Sequence, residues 1–598
     1  MREHSQFSKV GMQNMKRTVL LTLILALAIP AAARNKKVAP DVAQSGTAPV
    51  DVIVQFTAPP TQKQHDKITN RGGQVKGDLS VVNGLQASMT PAQVDDLGND
   101  AEVTYISPDR SLAGYLNNAA PAVNAPYAWS LGLDGSKLAV AVIDSGIQDN
   151  SGTTSFSGGT SYALLAGIAS TVGTADLNTW NSSTSRVVYN QSWVNDGYGT
   201  LDMYGHGTHV AGIIGGNGFN STGSQYTKTF KGIAPNVNLV NLRVLDSKGM
   251  GTDSSVIAAI QTAVQLKKKY NIRVINISLG RPVFESYTLD PLCQAVEAAY
   301  KAGIVVVVAA GNDGRNNSLG TKGYATISAP ANDPYVITVG AMKSMGTPTR
   351  ADDLIATYSS KGPTPIDHIV KPDIVAPGNR QVSLYGWGAT LTSTYSQNVV
   401  PLSSYISGSI SSASPWYYTM SGTSMAAPVV SGAVALLLQS QPKLTPDQVK
   451  ARLMKTASKT FPTYSSCTDP ATGITYTSQY DAFTIGAGYL DIQAALSSTD
   501  LSSGVAKSPT AQYDPATNSV YFVKDSSAMW GTSAMWGTTA VWGANVFVGS
   551  QSAMWGTSAM WGTSTTQGFS AMWGTSAMWG TSTTDSTESI GILMNGEN

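Results

Sequence analysis

Apolar residues follow two rhythms along this chain, and the change of rhythm divides it. Between 49 and 112 the pattern mostly alternates: 52–56 (Val-Ile-Val-Gln-Phe) reads as a strand, 65–71 as a short helix and 79–89 as strands around Asn83-Gly84. A helix at 92–97 behind a Thr90-Pro91 cap and a strand at 103–106 complete it. Strand, helix, two strands, helix, strand is the split βαβ order of a small α+β unit. From 117 to 497 the rhythm changes to short, nearly continuous Val/Ile runs at 138–143, 239–244, 274–277, 304–309 and 336–339, separated by helical stretches such as 255–270 and 290–301. Strands so apolar are covered on both faces, which predicts a three-layer α/β domain with a mostly parallel central sheet. Reactive groups then belong at the carboxyl ends of its strands.

The two ends of the chain have a different character. Lys16 and Arg17 precede the uncharged run 19–29, followed by Pro30 and Ala31-Ala32-Ala33, the pattern of a secretory leader over 1–33. That run is too short for the ~20 residues a spanning helix needs, and no later segment is read as crossing a membrane. A polar, alanine-bearing linker fills 34–48. Beyond 498 a six-residue theme, Ser-Ala-Met-Trp-Gly-Thr, recurs, with Trp530, Trp536, Trp542, Trp555, Trp561, Trp573 and Trp579 drawn from the 12 tryptophans of the chain. An even period places every tryptophan of an extended strand on one face. A β array, a sticky aromatic module contacting a cell surface or polysaccharide, and a low-complexity tail without function all fit this C-terminal extension, 498–598.

Charge and cysteine content exclude other classes. The chain has 598 residues, Lys+Arg 38 against Asp+Glu 37 and only 13% charged residues, so no overall field would hold nucleic acid. Its 58 glycines fit an α/β protein with many tight turns. Cys293 and Cys467 cannot form a disulfide framework; they either pair or stay free.

Four polar residues stand where the predicted strands and helices place chemistry. Asp144 ends the run 138–143 before Ser145-Gly146, a setting that suits a buried orienting acid and equally a glycine turn. His206 opens His-Gly-Thr-His-Val-Ala-Gly at a helix start, and with His209 and His368 it is a candidate base of the central domain. A zinc reading fails, because zinc hydrolases space their histidines four apart around a glutamate. Ser424 sits at the start of an apolar helix, where free N–H groups and the helix dipole favour a forming anion; a serine there is also a routine N-cap. Asn312 follows the run 305–311 and could donate to an oxyanion or simply make an Asn-Asp turn.

Taken together, Asp144, His206 and Ser424 occur in the order that separates the subtilisin-type triad from the chymotrypsin and α/β-hydrolase arrangements. Val-Ile-Asp-Ser-Gly at 142–146, Gly-His-Gly-Thr-His-Val-Ala-Gly at 205–212 and Gly-Thr-Ser-Met-Ala-Ala-Pro at 422–428 resemble the three signatures of the subtilases, the subtilisin-like serine peptidases. Similar blocks at 232–235, 274–280, 371–378 and 486–491 extend the resemblance over 117–497. It implies a subtilisin-like fold, a secreted endopeptidase acting on protein or peptide substrates without cofactor, and Asn312 with the Ser424 N–H as oxyanion hole. It further implies that substrate pairs with Ser278, Leu279 and Gly280, and that Ala309, Ala310 and Gly311 form the other wall of a primary pocket roomy enough for a large apolar side chain. The small ferredoxin-like unit at 49–112 then resembles the family's inhibitory propeptide, removed by autocleavage between 109 and 120. Two departures stand out: a Gly/Ser/Thr-rich insertion with Trp180 and Trp193 between Asp144 and His206, and the absence of any acidic residue at 216–231, where some subtilases hold calcium. No metal is therefore expected there. The rivals are an inert subtilase-like binding protein working through its tail, and an esterase on the same triad.

Overall fold

The protein is described by a computed structural model covering residues 37–38, 42, 47–79, 83–108, 116–149, 175–318, 320–408, 413–469, 472–514, 519–523 and 586–597. The leader, the core of the insertion and the Trp-Gly repeats lie outside the described residues. The chain divides into two compact units at 112/113.

The first unit contains β1 (Val50–Phe56), α1 (Gln62–Thr69), β2 (Gln74–Leu79), β3 (Gly84–Met89), α2 (Pro91–Gly98) and β4 (Val103–Pro108). Its antiparallel sheet runs β2-β3-β1-β4, the ferredoxin-like order, over a core that includes Val52, Val54, Ile68, Leu85 and Val94. Two boundaries differ from the apolar pattern. Helix α1 starts at Gln62 because Thr61 and Gln64 form a reciprocal capping box. Strand β2 begins at Gln74 because it is an edge strand, whose exposed Gln74, Lys76 and half-buried Val75 carry little periodic signal.

The second unit is built on a sheet of β5 (Ala139–Asp144), β6 (Val187–Ser192), β7 (Asn238–Arg243), β8 (Ile272–Ile277), β9 (Val305–Ala309), β10 (Ile337–Lys343), β11 (Leu354–Ile355) and β12 (Ile374–Pro377). The order is β11-β10-β9-β8-β5-β7-β6, with β12 also on β10, and every pairing is parallel except β10 with β11. The pleat sorts β5 between two layers. Ala139, Ala141 and Ile143 pack against α4 (Asp253–Tyr270) and α5 (Pro291–Lys301), whereas Val140 and Val142 face α3 (His206–Gly215) and α6 (Thr423–Ser440). Chain order reverses across β5 and β8, which opens the crevice that such sheets use for ligands.

Helix α6 is apolar on all sides, 18 residues long with mean hydropathy 1.4, long and apolar enough to cross a membrane; here 83% of it is buried as the central core helix. Cys293 and Cys467 are not joined in a disulfide, and Cys293 is buried, its Sγ donating to Asn332 Oδ1 at 3.2 Å. Arg186, also buried, donates to the carbonyls of Asp176 (2.8 Å), Asn178 (3.1 Å), Gly215 (2.5 Å) and Val237 (2.7 Å) beside the acid-free loop.

Residues beyond 497, read from sequence as a separate extension, pack on this same unit. Val370 N donates to Pro509 O and Ala511 N to His368 O, both at 2.8 Å, and Ala506, Ala511 and Val520 are buried beside Phe483. A last helix, α7 (Ser586–Asn595), buries Ile592, Leu593 and Met594 in the cluster that holds α6.

Candidate active site

Asp144 is the next residue after Val142 on the α3 side of β5, at the carboxyl end of the strand, and only 1% exposed. Its Oδ1 accepts from Ser145 N at 2.7 Å and lies 2.8 Å from His206 Nδ1. The approach of α3 to the β5 turn depends on Gly207, where an added Cβ would lie 2.2 Å from Gly146 O. Gly205 caps α3 without a side chain, and the buried Asp202 takes that task, accepting from Gly205 N (2.7 Å), Thr208 N (2.8 Å) and Ser145 Oγ (2.8 Å). Burial presses the His206 imidazole toward neutrality, but the charge and hydrogen bond of Asp144, with a smaller contribution from Asp202, outweigh it and hold the ring above its ordinary pKa.

Ser424 occupies the second position of α6, whose N-cap is Gly422, so the capping role weighed for it from sequence is not the one it plays. Its Oγ donates to Ser278 O at 3.0 Å, and Ser278 Oγ donates back to Ser424 O at 2.9 Å. Strand register explains why this matters. Ile143 pairs with Ile277 as the last position of the β5–β8 ladder, so Asp144 and Ser278 are the residues that follow that pair on neighbouring segments. His206 is bonded to the first and Ser424 to the second. The hydroxyl points to the Ser278 carbonyl rather than to His206, and such bonds are often long before substrate arrives.

Asn312 lies beyond β9, the neighbour of β8. Its Oδ1 accepts from Thr423 N (2.9 Å), which leaves the amide nitrogen to face the turn before Ser424. A Cβ placed on Gly422, whose φ is +139°, would sit 3.3 Å from Asn312 Nδ2 and 3.6 Å from Ser424 N, so the two donors converge on one small space. A hydroxyl, an imidazole held by a carboxylate and two converging donors are the groups that acyl transfer through a tetrahedral intermediate requires.

The expected substrate walls flank this space. Ser278 is buried, Leu279 half-buried and Gly280 exposed, in irregular backbone past the end of β8 and not in a strand. Ala309 ends β9, Ala310 is buried, and Gly311 turns with φ +109°. Added Cβ atoms on Gly280 and Gly311 would lie 2.7 and 3.3 Å from Ser328 Oγ, so this serine stands between the two segments.

Several contributors escape the motif reading. Ser431 Oγ donates to Asn276 Oδ1 (2.8 Å) and Asn276 Nδ2 to Ser278 Oγ (2.9 Å), a buried polar ladder that pins α6 to the end of β8. A lone asparagine in the apolar run 274–277 was the available signal. His209 is a structural residue: its Nε2 lies 3.1 Å from both Gln381 O and Tyr418 O, and burial, with the charge of His206, lowers its pKa to about 3. His368 lies beside Ala511 rather than in the crevice. Among the described residues no group of three or more His, Cys, Asp or Glu is placed to hold a metal ion.

Comparison with known proteins gives one family. The model described as Subtilase family matches residues 135–488. Serine protease AprX of Bacillus subtilis is 32% identical over 387 residues, covering 63% of this chain and 75% of that protein. Subtilisin E of Bacillus subtilis is 30% identical over 443 residues, covering 74% and 87%. A protein named Extracellular serine proteinase, from Thermus sp., is 32% identical over 376 residues, covering 63% and 71%.

Proposed function

This chain belongs to the subtilase family of serine peptidases, and from that premise we propose that it is a secreted endopeptidase, made as a zymogen, that cleaves peptide bonds through an acyl-enzyme on Ser424. Ser424 Oγ rotates from the Ser278 carbonyl to His206 Nε2 and attacks the substrate carbonyl as His206 takes its proton. Asp144 holds Nδ1–H and stabilises the imidazolium. The carbonyl oxygen, now an anion, moves between Asn312 Nδ2 and Ser424 N, the leaving amine takes the proton from His206, and water resolves the ester by the same steps reversed. The extended substrate lies along 278–280, and its side chain before the scissile bond enters between that segment and 309–311, with Ser328 between them. The unit at 49–112 serves as inhibitor and folding aid until autocleavage removes it.

The observation that carries this reading is that Asp144 and Ser278 directly follow the last paired residues of β5 and β8, one bonded to His206 and the other to Ser424. Export rests on the leader pattern and on the name of the Thermus relative. A fluorophosphonate probe should label the wild type and not Ser424→Ala, and a portion of the wild type kept from the probe should digest casein. An unlabelled wild type would indicate an inert binding protein, and cleavage of esters without casein an esterase.

A further inference from the structure

The segment at 591–597 is far in sequence from every residue of the site, yet it ends in a buried carboxylate. The Glu597 side chain is fully buried; Arg315 Nη2 lies 2.7 Å from Oε1 and Lys343 Nζ 3.2 Å from Oε2. Thr357 N donates to Oε1 at 2.9 Å, and the Thr357 hydroxyl donates to the same oxygen. The backbone of Glu597 is held as closely: its N donates to Asn379 Oδ1 (2.8 Å) and its O accepts from Asn379 Nδ2 (2.7 Å). Just before it, Gly596 has φ +62°, and a Cβ there would lie 2.4 Å from Ser421 Oγ and 2.7 Å from Asn379 Oδ1, so only glycine fits. Leu593 O accepts from Ser421 N at 2.8 Å.

These contacts converge on two loops. Arg315 is three residues past Asn312, and its Nε also donates to Thr357 Oγ1 at 2.9 Å. Ser421 immediately precedes Gly422, whose N donates to Gly378 O (2.8 Å), next to Asn379. One short peptide therefore grips both the turn that carries Asn312 and the turn that leads into Ser424, and these supply the two oxyanion donors. A buried carboxylate between two cations, with Oε1 accepting from Arg315 and Thr357, is rigid, and losing it strands two buried charges.

We propose that 591–597 is a positioning element for the oxyanion pocket, with Glu597 as its anchor. The proposal rests on the reading of Asn312 and the Ser424 N–H as oxyanion donors. Displacing donors by 1 Å costs roughly 10²-fold, and the smaller shift expected here about tenfold.

The test uses full-length Glu597→Gln and, should that variant fold poorly, Arg315→Lys, which keeps the positive charge but loses the fork joining Glu597 to Thr357. Active sites are titrated with the fluorophosphonate, so that unfolded protein is not counted, and kcat and KM are measured on a chromogenic peptide amide. The expected result is a fall in kcat per titrated site of about tenfold with KM within twofold. In an Asn312→Ala background the same substitution should change kcat less than twofold, because the Glu597 side chain reaches the pocket through Arg315 and the Asn312 turn, whose donor is already gone. Unchanged kcat per site in either variant overturns the proposal, as does an equal loss in the Asn312→Ala background, which would mark 591–597 as structural support only. Failure of the wild type to react with the probe would instead overturn the functional reading beneath it.

Discussion

Replacing Gly422 with alanine tests the geometry of the anion pocket directly. The new methyl carbon would sit 3.3 Å from Asn312 Nδ2 and 3.6 Å from Ser424 N, whereas an oxyanion must come within about 2.7–3.1 Å of both donors. A carbon there competes for the volume the anion needs, so at least one donor is lost to the transition state. Loss of one donor costs about 10²–10³-fold in kcat, a figure that itself comes from a member of this family. A separate effect acts on the fold. With φ at +139° and ψ at 164°, residue 422 occupies a region open almost only to glycine, and alanine there carries strain of about 1–3 kcal/mol. The two consequences separate in measurement: strain appears as a lower unfolding midpoint, pocket loss as a lower kcat well below that midpoint. KM on a peptide amide should stay within a few-fold, because the ground-state carbonyl gains little from these donors. A folded Gly422→Ala enzyme with kcat within threefold of wild type would refute the placing of the anion between Asn312 and Ser424.

The pH profile and the buried arginine give two more expectations. Since Asp144 holds His206 above its ordinary value of about 6.5 and the base must be neutral, kcat/KM should rise with pH through an apparent pKa above that value. Asp144→Asn should move this limb to lower pH and reduce kcat about 10⁴-fold; a limb that does not move would disconnect the carboxylate from the imidazole. The same raised pKa makes the charged pair stabilise the fold at acid pH, a contribution that fades as pH rises through the folded-state value. Arg186→Leu strips donors from four buried carbonyls and should cost about 3–5 kcal/mol in urea unfolding, and unaltered stability would show that the guanidinium is not what holds 176–178 to 215 and 237.

The parts of this protein legible in its sequence are those where local backbone and chemistry coincide. Asp144, His206 and Ser424 each stand beside glycines that let strand ends and helix starts approach closely, and Val/Ile runs announce a sheet covered on both faces. Asp202 was not legible, because capping α3 from outside the helix depends on how the chain returns to Ser145. Nor was Ser328, which reaches Gly280 and Gly311 only after the segment past Asn312 folds back. The ladder from Ser431 through Asn276 joins elements far apart in sequence, and no short window contains it. The start of strand β2 was not legible either, because its residues alternate between exposed and half-buried and none is fully buried.

The grip of 591–597 on the turns around Asn312 and Ser421 also sets a schedule. Asp144, His206, Asn312 and Ser424 are all translated before Glu597. A chain still emerging from the ribosome thus carries all four residues before the segment proposed to brace them has arrived. On the proposed reading, such a peptidase would reach full potency only once 591–597 has been delivered.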